Sequence, residues 1–414
     1  MLRSARNALL CLIFSLLIGL AAHGVDWLVG WAQIASRWTM LHLGIAALVF
    51  PPLAFVVSSL IADRLCPASR GAGLPTLIAS GHPAASSAMQ TMAGLRPSLV
   101  RIGLMLLIIV SGAVSGRTGP TISLGGGIMG ALQRWMPQHT ALLFSAGAAA
   151  ALAGAFGAPL AGFVFALEAM PWWRGQRHGV MWGVLAASAA LPAGAVGIWL
   201  GSAVDFHPMM QAWHGGRDWA AIGGTGLAVG LASGLFARIL RTANRRPMRQ
   251  PLLLALCCGT LVSICVGLSG GAISGTGSVE LTSMLHGTAL PDRYVVLKYA
   301  ATLMLAIARL PGGTIYPMMA VGGFVGQTMA GLWHAPDIAP LVLIGAAAGF
   351  AGLVQAPLTA VALAFGFVWQ IDLLPPLLLA CVAARLASGL VCSPGLFQSL
   401  AASLPTLPGA SHEP

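Results

Sequence analysis

Apolar residues in this chain gather in long runs and do not alternate with polar ones. The runs cover roughly residues 8–22, 41–62, 99–115, 141–154, 177–201, 219–240, 251–269, 294–310, 339–353 and 374–392. Shorter apolar pieces, bounded by Gly or Pro, begin near 75, 120, 158, 275, 317, 356 and 395. A segment in lipid must satisfy its own backbone hydrogen bonds, so all of these are predicted helices. Several approach the ~20 residues needed to span a bilayer core. The shorter ones stop inside the protein, and interrupted helices in transporters surround an ion or substrate site. The pattern predicts an all-α polytopic membrane protein with a polar site in its interior.

Composition agrees. The chain has 414 residues, 57% hydrophobic and 7% charged, against about 25% charged in a typical soluble domain. Gly (53) and Pro (26) are abundant, and membrane helices tolerate both. The net charge of +11 does not point to nucleic acid, because the arginines sit at segment ends. Arg238, Arg241, Arg245, Arg246 and Arg249 form one cluster, read as a cytoplasmic loop and compatible with contact to anionic lipid. Arg3 and Arg6 precede a run to Ala22 that imitates a secretory signal but is expected to be a retained first membrane helix with a cytoplasmic N-terminus. The cysteines show neither CxxC nor zinc spacing, and no metal or cofactor is expected. Lys298, the sole lysine, begins an apolar run and is expected to snorkel to the interface.

Two passages recur in order. Pro120–Gly126 lines up with Pro317–Gly323 at an offset of 197 (317 − 120), and Ala153–Leu160 with Ala351–Leu358 at an offset of 198 (351 − 153). Two matches at nearly one offset indicate internal duplication, and paired interrupted segments point to a site at the repeat interface.

Four motifs occupy or flank those passages: Gly71-Ala72-Gly73-Leu74-Pro75, Gly116-Arg117-Thr118-Gly119-Pro120, Pro311-Gly312-Gly313-Thr314-Ile315-Tyr316-Pro317, and Leu396-Phe397-Gln398-Ser399-Leu400. Gly-rich turns opening short helices leave backbone N–H groups unpaired, and a helix N-terminus carries about +0.5 of a charge. Glycine lets such a backbone approach an ion closely. Several converging ends replace part of an anion's hydration shell, yet bind weakly enough for it to leave. Any one motif alone reads equally as a tight helix crossing.

In this order the motifs resemble the CLC family of chloride channels and chloride/proton antiporters, from about residue 40 to 400. They are similar to its G-S-G-I-P, G-R-E-G-P and G-x-F-x-P elements and to the start of its last helix. The resemblance implies about 17–18 helical segments in one transmembrane domain, with inverted halves at about 40–203 and 217–404. It implies a homodimer with one pore per subunit, no CBS domains, and chloride or a similar small anion as cargo. It places Gly71, Ala72, Gly73, Leu74, Pro75, Gly116, Arg117, Thr118, Gly119, Pro120, Gly313, Thr314, Ile315, Tyr316 and Phe397 at the anion path. The expected location is a bacterial inner membrane.

Four departures from the family pattern bear on mechanism. Thr118 replaces the gating glutamate, and a hydroxyl cannot ionise near neutral pH, though it can donate a hydrogen bond to an anion. Ala169, after Glu168, replaces the glutamate that relays protons from inside; Glu168 itself is read as structural or as facing water. Ala72 and Phe397 replace the Ser and Tyr whose hydroxyls hold the central anion. Hydrogen bonds to a charged group contribute ~1.5–3 kcal/mol each, so two losses loosen that site by up to ~3–6 kcal/mol, less what water restores. The expectation is passive anion conduction without proton exchange. The alternatives are an antiporter with a non-standard proton path and a non-conducting scaffold or sensor. The family's fluoride exporters are less similar, since the G-R-x-G-P proline is retained here.

Arg117 has two readings, an electropositive aid at the pore or a buried ion pair or carbonyl clamp. An enzyme reading rests on Gly267-Leu268-Ser269-Gly270 with His286 as the nearest base. Serine in such helices usually packs or bonds a carbonyl, so no enzyme is expected.

Overall fold

The computed structural model describes residues 2–81, 85–170, 179–201, 219–335 and 337–404. In chain order its helices are α1 (Leu2–Leu43), α2 (Phe50–Leu65), α3 (Leu74–Ser80), α4 (Ser87–Met92), α5 (Leu95–Val110), α6 (Thr118–Gly130), α7 (Thr140–Phe156), α8 (Pro159–Glu168), α9 (Gly179–Ser188) and α10 (Ala190–Trp199). They continue as α11 (Trp219–Arg245), α12 (Pro251–Leu268), α13 (Ser278–Leu285), α14 (Arg293–Ile307), α15 (Ile315–Leu332), α16 (Ala339–Val354), α17 (Pro357–Val368), α18 (Leu374–Val391) and α19 (Leu396–Ala402). Among the described residues there is no strand, only isolated bridges pairing Val114 with Gly275 and Gly116 with Gly313. Six helical stretches are long and apolar enough to cross a membrane.

The apolar runs and short pieces fall largely on helices, with three differences of note. The expected 41–62 segment is broken by a 3-10 stretch, Gly44–Val49, between α1 and α2. The expected 177–201 segment divides at Ala189 into α9 and α10, and its first two residues lie outside the described ones. The polar interval between runs 8–22 and 41–62 is not a loop, because α1 continues through it to Leu43. Trp27, Trp31 and Trp38 face outward there, while His23, Asp26 and Gln33 line an internal cavity. Hydropathy dips because one helix face looks inward.

Helices in lipid gain little from apolar burial against one another, so close packing of small residues holds them. That packing occurs twice. A side chain on Gly147 would strike the Gly125 backbone where α6 crosses α7, and one on Gly345 would strike Gly322 where α15 crosses α16. The turns after α7 and α16 also match. Gly157 and Gln355 adopt φ of 58° and 60°, followed by Ala158 at φ −125°, ψ 79° and Ala356 at φ −124°, ψ 78°. The two matched passages thus share backbone geometry at these crossings and turns.

Replacing Gly345 by Val should cost about 1–3 kcal/mol by overpacking and lower the midpoint of thermal unfolding in detergent. Gly331→Ala, where an added Cβ meets nothing within 4 Å, should leave that midpoint nearly unchanged.

Candidate functional site

A cavity of about 330 Å³ lies where three helices begin. Gly71, Ala72, Gly73 and Pro75 line it at the start of α3, Thr314 at the start of α15, and Phe397 at the start of α19. A fourth helix, α6, lines no part of it but packs on its loop: a side chain on Gly119 would lie 2.7 Å from the Ala72 carbonyl oxygen. None of these four helices has a side-chain cap or an acidic residue in its first turn. Their N–H groups therefore keep their partial positive charge for whatever enters. Arg70 and Arg309 are the only charged residues among the lining, which holds no carboxylate.

Buried cations hold the loops that shape this cavity. Gly73, at φ 83°, turns the chain into α3, a left-handed conformation that favours glycine. Arg101 of α5, fully buried, donates to the carbonyls of Ser69 and Ala68 at 3.2 and 2.6 Å and to Ser123 Oγ of α6. Arg70 pairs with Asp63 at 2.6 Å. The Gly71 amide donates to the Arg309 carbonyl at 3.0 Å. Sequence reading passed over Arg101, although an arginine within an apolar run is a signal that it must be satisfied internally.

Behind the cavity two loops cross. Gly116 and Gly313 exchange backbone hydrogen bonds, with the Gly116 amide donating at 2.8 Å and the Gly313 amide at 2.6 Å. They are themselves 197 residues apart (313 − 116), the offset of the repeat. A side chain on either glycine would collide with the other's backbone. Thr118 follows this crossing and is buried, and its hydroxyl has no hydrogen-bond partner. The same holds for Ser115 and Thr314. Three unpaired buried hydroxyls cost about 1–3 kcal/mol each unless water or an ion satisfies them. They are donors available to an anion.

Arg117 points the other way, into a second cavity that it lines with His23, Asp26, Gln33, Ser278 and His286. It forms an ion pair with Asp26 of α1, and its Nη2 donates to the Ala155 carbonyl at 3.5 Å. Its guanidinium lies 5.3 Å from the Tyr316 ring centroid, and that ring stacks on Phe156 at 5.5 Å. The ion-pair and carbonyl-clamp reading is the geometry observed. Asp26 is the partner that sequence reading missed, and a lone acid within a membrane helix was the available clue. Of the expected path residues, Leu74, Gly116, Thr118, Gly119, Pro120, Gly313, Ile315 and Tyr316 are buried and line neither cavity.

Lys298 does not snorkel. It is fully buried, and its Nζ donates to the carbonyls of Ile273 and Gly275 at 2.7 and 3.3 Å, with Glu280 at 4.0 Å. Gly275 in turn pairs with the 113–115 segment that leads into the Gly116 crossing. The non-helical 273–275 turn lacks helical partners for its carbonyls, and the ammonium supplies them.

Glu168 is structural. Its carboxylate accepts from the amides of Leu358 and Thr359 at 3.1 and 2.7 Å and from Thr359 Oγ1 at 2.8 Å, capping α17. Ala169 is buried beside it and presents only a methyl group. Ser269 Oγ donates to the Val266 carbonyl at 2.8 Å, which fits a packing serine and not a nucleophile.

Uncapped helix starts gather at a cavity inside a bundle of apolar helices, several of them long enough to cross a membrane, which is the architecture of a multi-pass membrane protein. The chain belongs to the voltage gated chloride channel family, CLC, whose model matches residues 53–389. The family moves anions. A relative from Shigella flexneri, "Voltage-gated ClC-type chloride channel ClcB", is 30% identical over 70% of this chain and 72% of its own. The "H(+)/Cl(-) exchange transporter ClcA" of Yersinia pseudotuberculosis is 25% identical over 94% of this chain and 86% of its own. Among solved structures, a slow cyanobacterial Cl-/H+ antiporter superposes with a TM-score of 0.80 at 20% identity, covering 96% of this chain and 97% of that one. A CLC-type fluoride/proton antiporter superposes at 0.75 and 24% identity, covering 94% and 97%. These two share the fold, which is all that such identities establish.

Removing one partner of a buried ion pair typically costs ~3–5 kcal/mol, because the other charge is left unpaired. Asp26→Ala should therefore lower thermal stability in detergent sharply. Asp26→Ala combined with Arg117→Met should recover much of the loss, and a double-mutant cycle on unfolding midpoints measures the coupling.

Proposed function

We propose that this protein conducts chloride or a similar small monovalent anion passively, without obligatory proton exchange, through a pore in each subunit of a homodimer. The observation that carries this reading is the hydroxyl of Thr118, buried and without a hydrogen-bond partner. In the chain Thr118 lies between Arg117, which lines the second cavity, and Gly119, which packs on Ala72 of the first. The polar side chains offered there are the hydroxyls of Ser115, Thr118 and Thr314. Coupling requires a group that binds a proton in one state and competes with the anion in another, and a hydroxyl does neither near neutral pH. Glu168 is engaged as a helix cap, and Ala169 has nothing to titrate.

The positive-inside rule, applied to the basic segment Arg238–Arg249, supports a cytoplasmic first cavity and an outer second cavity in a bacterial inner membrane. The two halves, about 40–203 and 217–404, are taken as related by a two-fold axis through the Gly116–Gly313 pair. Reciprocal antiparallel bonding between equivalent residues supports an inverted relation. Proton exchange by another route is the second reading, and Asp26, a titratable carboxyl lining the second cavity, favours it.

Efflux from chloride-loaded vesicles with external pH recorded separates these readings. Chloride release with no pH change is expected, whereas uphill proton movement driven by chloride would establish exchange. In Thr118→Glu, burial should raise the new carboxyl's pKa. Above that pKa the anionic carboxylate competes with chloride and suppresses flux at neutral pH. Below it the neutral acid releases the path, so flux should rise on acidification by about tenfold per pH unit until protonation is complete.

A further inference from the structure

A separate groove of about 610 Å³ runs beside the first cavity between α11, α12 and the end of α14. Along α11 it is lined by Leu235, Arg238, Ile239, Thr242 and, just past the helix, Arg246, a length of about 16 Å at 1.5 Å per residue. Leu254 of α12 and Ile307 of α14 close its apolar part. The groove opens onto the lipid-facing flank of α11, where Leu227, Leu231 and Leu235 are each about half exposed at successive turns. Arg238 and Arg246 are exposed, and among the described residues no carboxylate pairs with either. An apolar trough leading from lipid to two unpaired arginines at one membrane face matches a molecule with an acyl chain and an anionic headgroup. A free phosphate would gain nothing from the trough.

The groove shares a wall with the conduction site. Arg309 and Met248 line both. Arg309 Nη2 donates to the carbonyls of Ala243, Asn244 and Arg246 at 3.2, 3.1 and 2.8 Å, closing the end of α11. Its own carbonyl accepts from the Gly71 amide of the cavity loop. Its φ is 51°, a left-handed conformation uncommon for a residue other than glycine, and such positions persist where surrounding contacts enforce them. A headgroup that draws on Arg246 or Arg309 therefore acts one residue away from the bond that positions Gly71.

We propose that this groove binds one anionic glycerophospholipid per subunit, its phosphate on Arg238 and Arg246 and its acyl chain along Leu235, Ile239, Leu254 and Ile307. Its occupancy sets the opening of the first cavity through Arg309. The regulatory half rests on the conduction reading; the binding half does not.

Native mass spectrometry of the full chain in mixed micelles, with phosphatidylglycerol or phosphatidylcholine, tests the binding half. The wild-type protein should retain phosphatidylglycerol selectively. Arg238→Gln with Arg246→Gln should weaken retention about thirtyfold, from about 1 kcal/mol per basic residue. Arg249→Gln, in the same basic segment but outside the groove, should not, whereas a general surface-charge effect would move it equally. Equal retention by the double variant, or displacement of the lipid by millimolar inorganic phosphate, overturns the site. In vesicles, adding phosphatidylglycerol to phosphatidylcholine should change chloride efflux several-fold for wild type and not for the double variant. Wild-type efflux indifferent to the lipid overturns the regulatory half. Absence of efflux from every vesicle defeats the conduction reading and the regulatory half with it, while the binding arm still decides the site.

Discussion

The reciprocal hydrogen bonds between Gly116 and Gly313 are the constraint around which the interior is arranged. Non-helical backbone at membrane depth must find partners within the protein, since lipid supplies none. Here two non-helical loops serve each other, one from each copy of the duplicated passage. The contact demands glycine on both sides, because either Cβ would displace the other chain. Once the loops cross, α6 and α15 must start beside each other and their uncapped ends face one region. The close crossings of α6 on α7 and α15 on α16 follow from the same need to bring backbones together.

Cations stabilise the remaining loops by one chemical device. Arg101 and Lys298, both fully buried, hold the 68–69 carbonyls and those of Ile273 and Gly275, and the partly exposed Arg309 holds those at the end of α11. The two buried charges are costly to take from water, and all three satisfy carbonyls that no helix could. The first cavity is lined by Arg70 and Arg309 as well as by uncapped helix starts.

This family contains both channels and exchangers on one scaffold, as the names of the relatives show. In this chain Glu168 caps α17 and Asp26 pairs with Arg117, so both carboxylates are held in fixed contacts.

The amino-acid sequence by itself determined the helical membrane class and the family, and it marked the repeated passages and the loops that gather near the first cavity. Those features depend on local composition: apolar runs, breaks at Gly and Pro, and motifs within a few residues of one another. Thr118, Ala72, Phe397 and Ala169 were legible as chemical absences for the same reason. Only the tertiary structure decided which side chains face one another. It showed Asp26 under Arg117 from 91 positions away (117 − 26), Lys298 turned inward onto the 273–275 turn, and Glu168 seated on α17. It also left Leu74, Ile315 and Tyr316 behind the cavity that their neighbours line. Hydropathy cannot distinguish a polar residue on an inward helix face from one in a loop, because both lower the local average. That distinction exists only when a partner from elsewhere in the chain arrives to satisfy it.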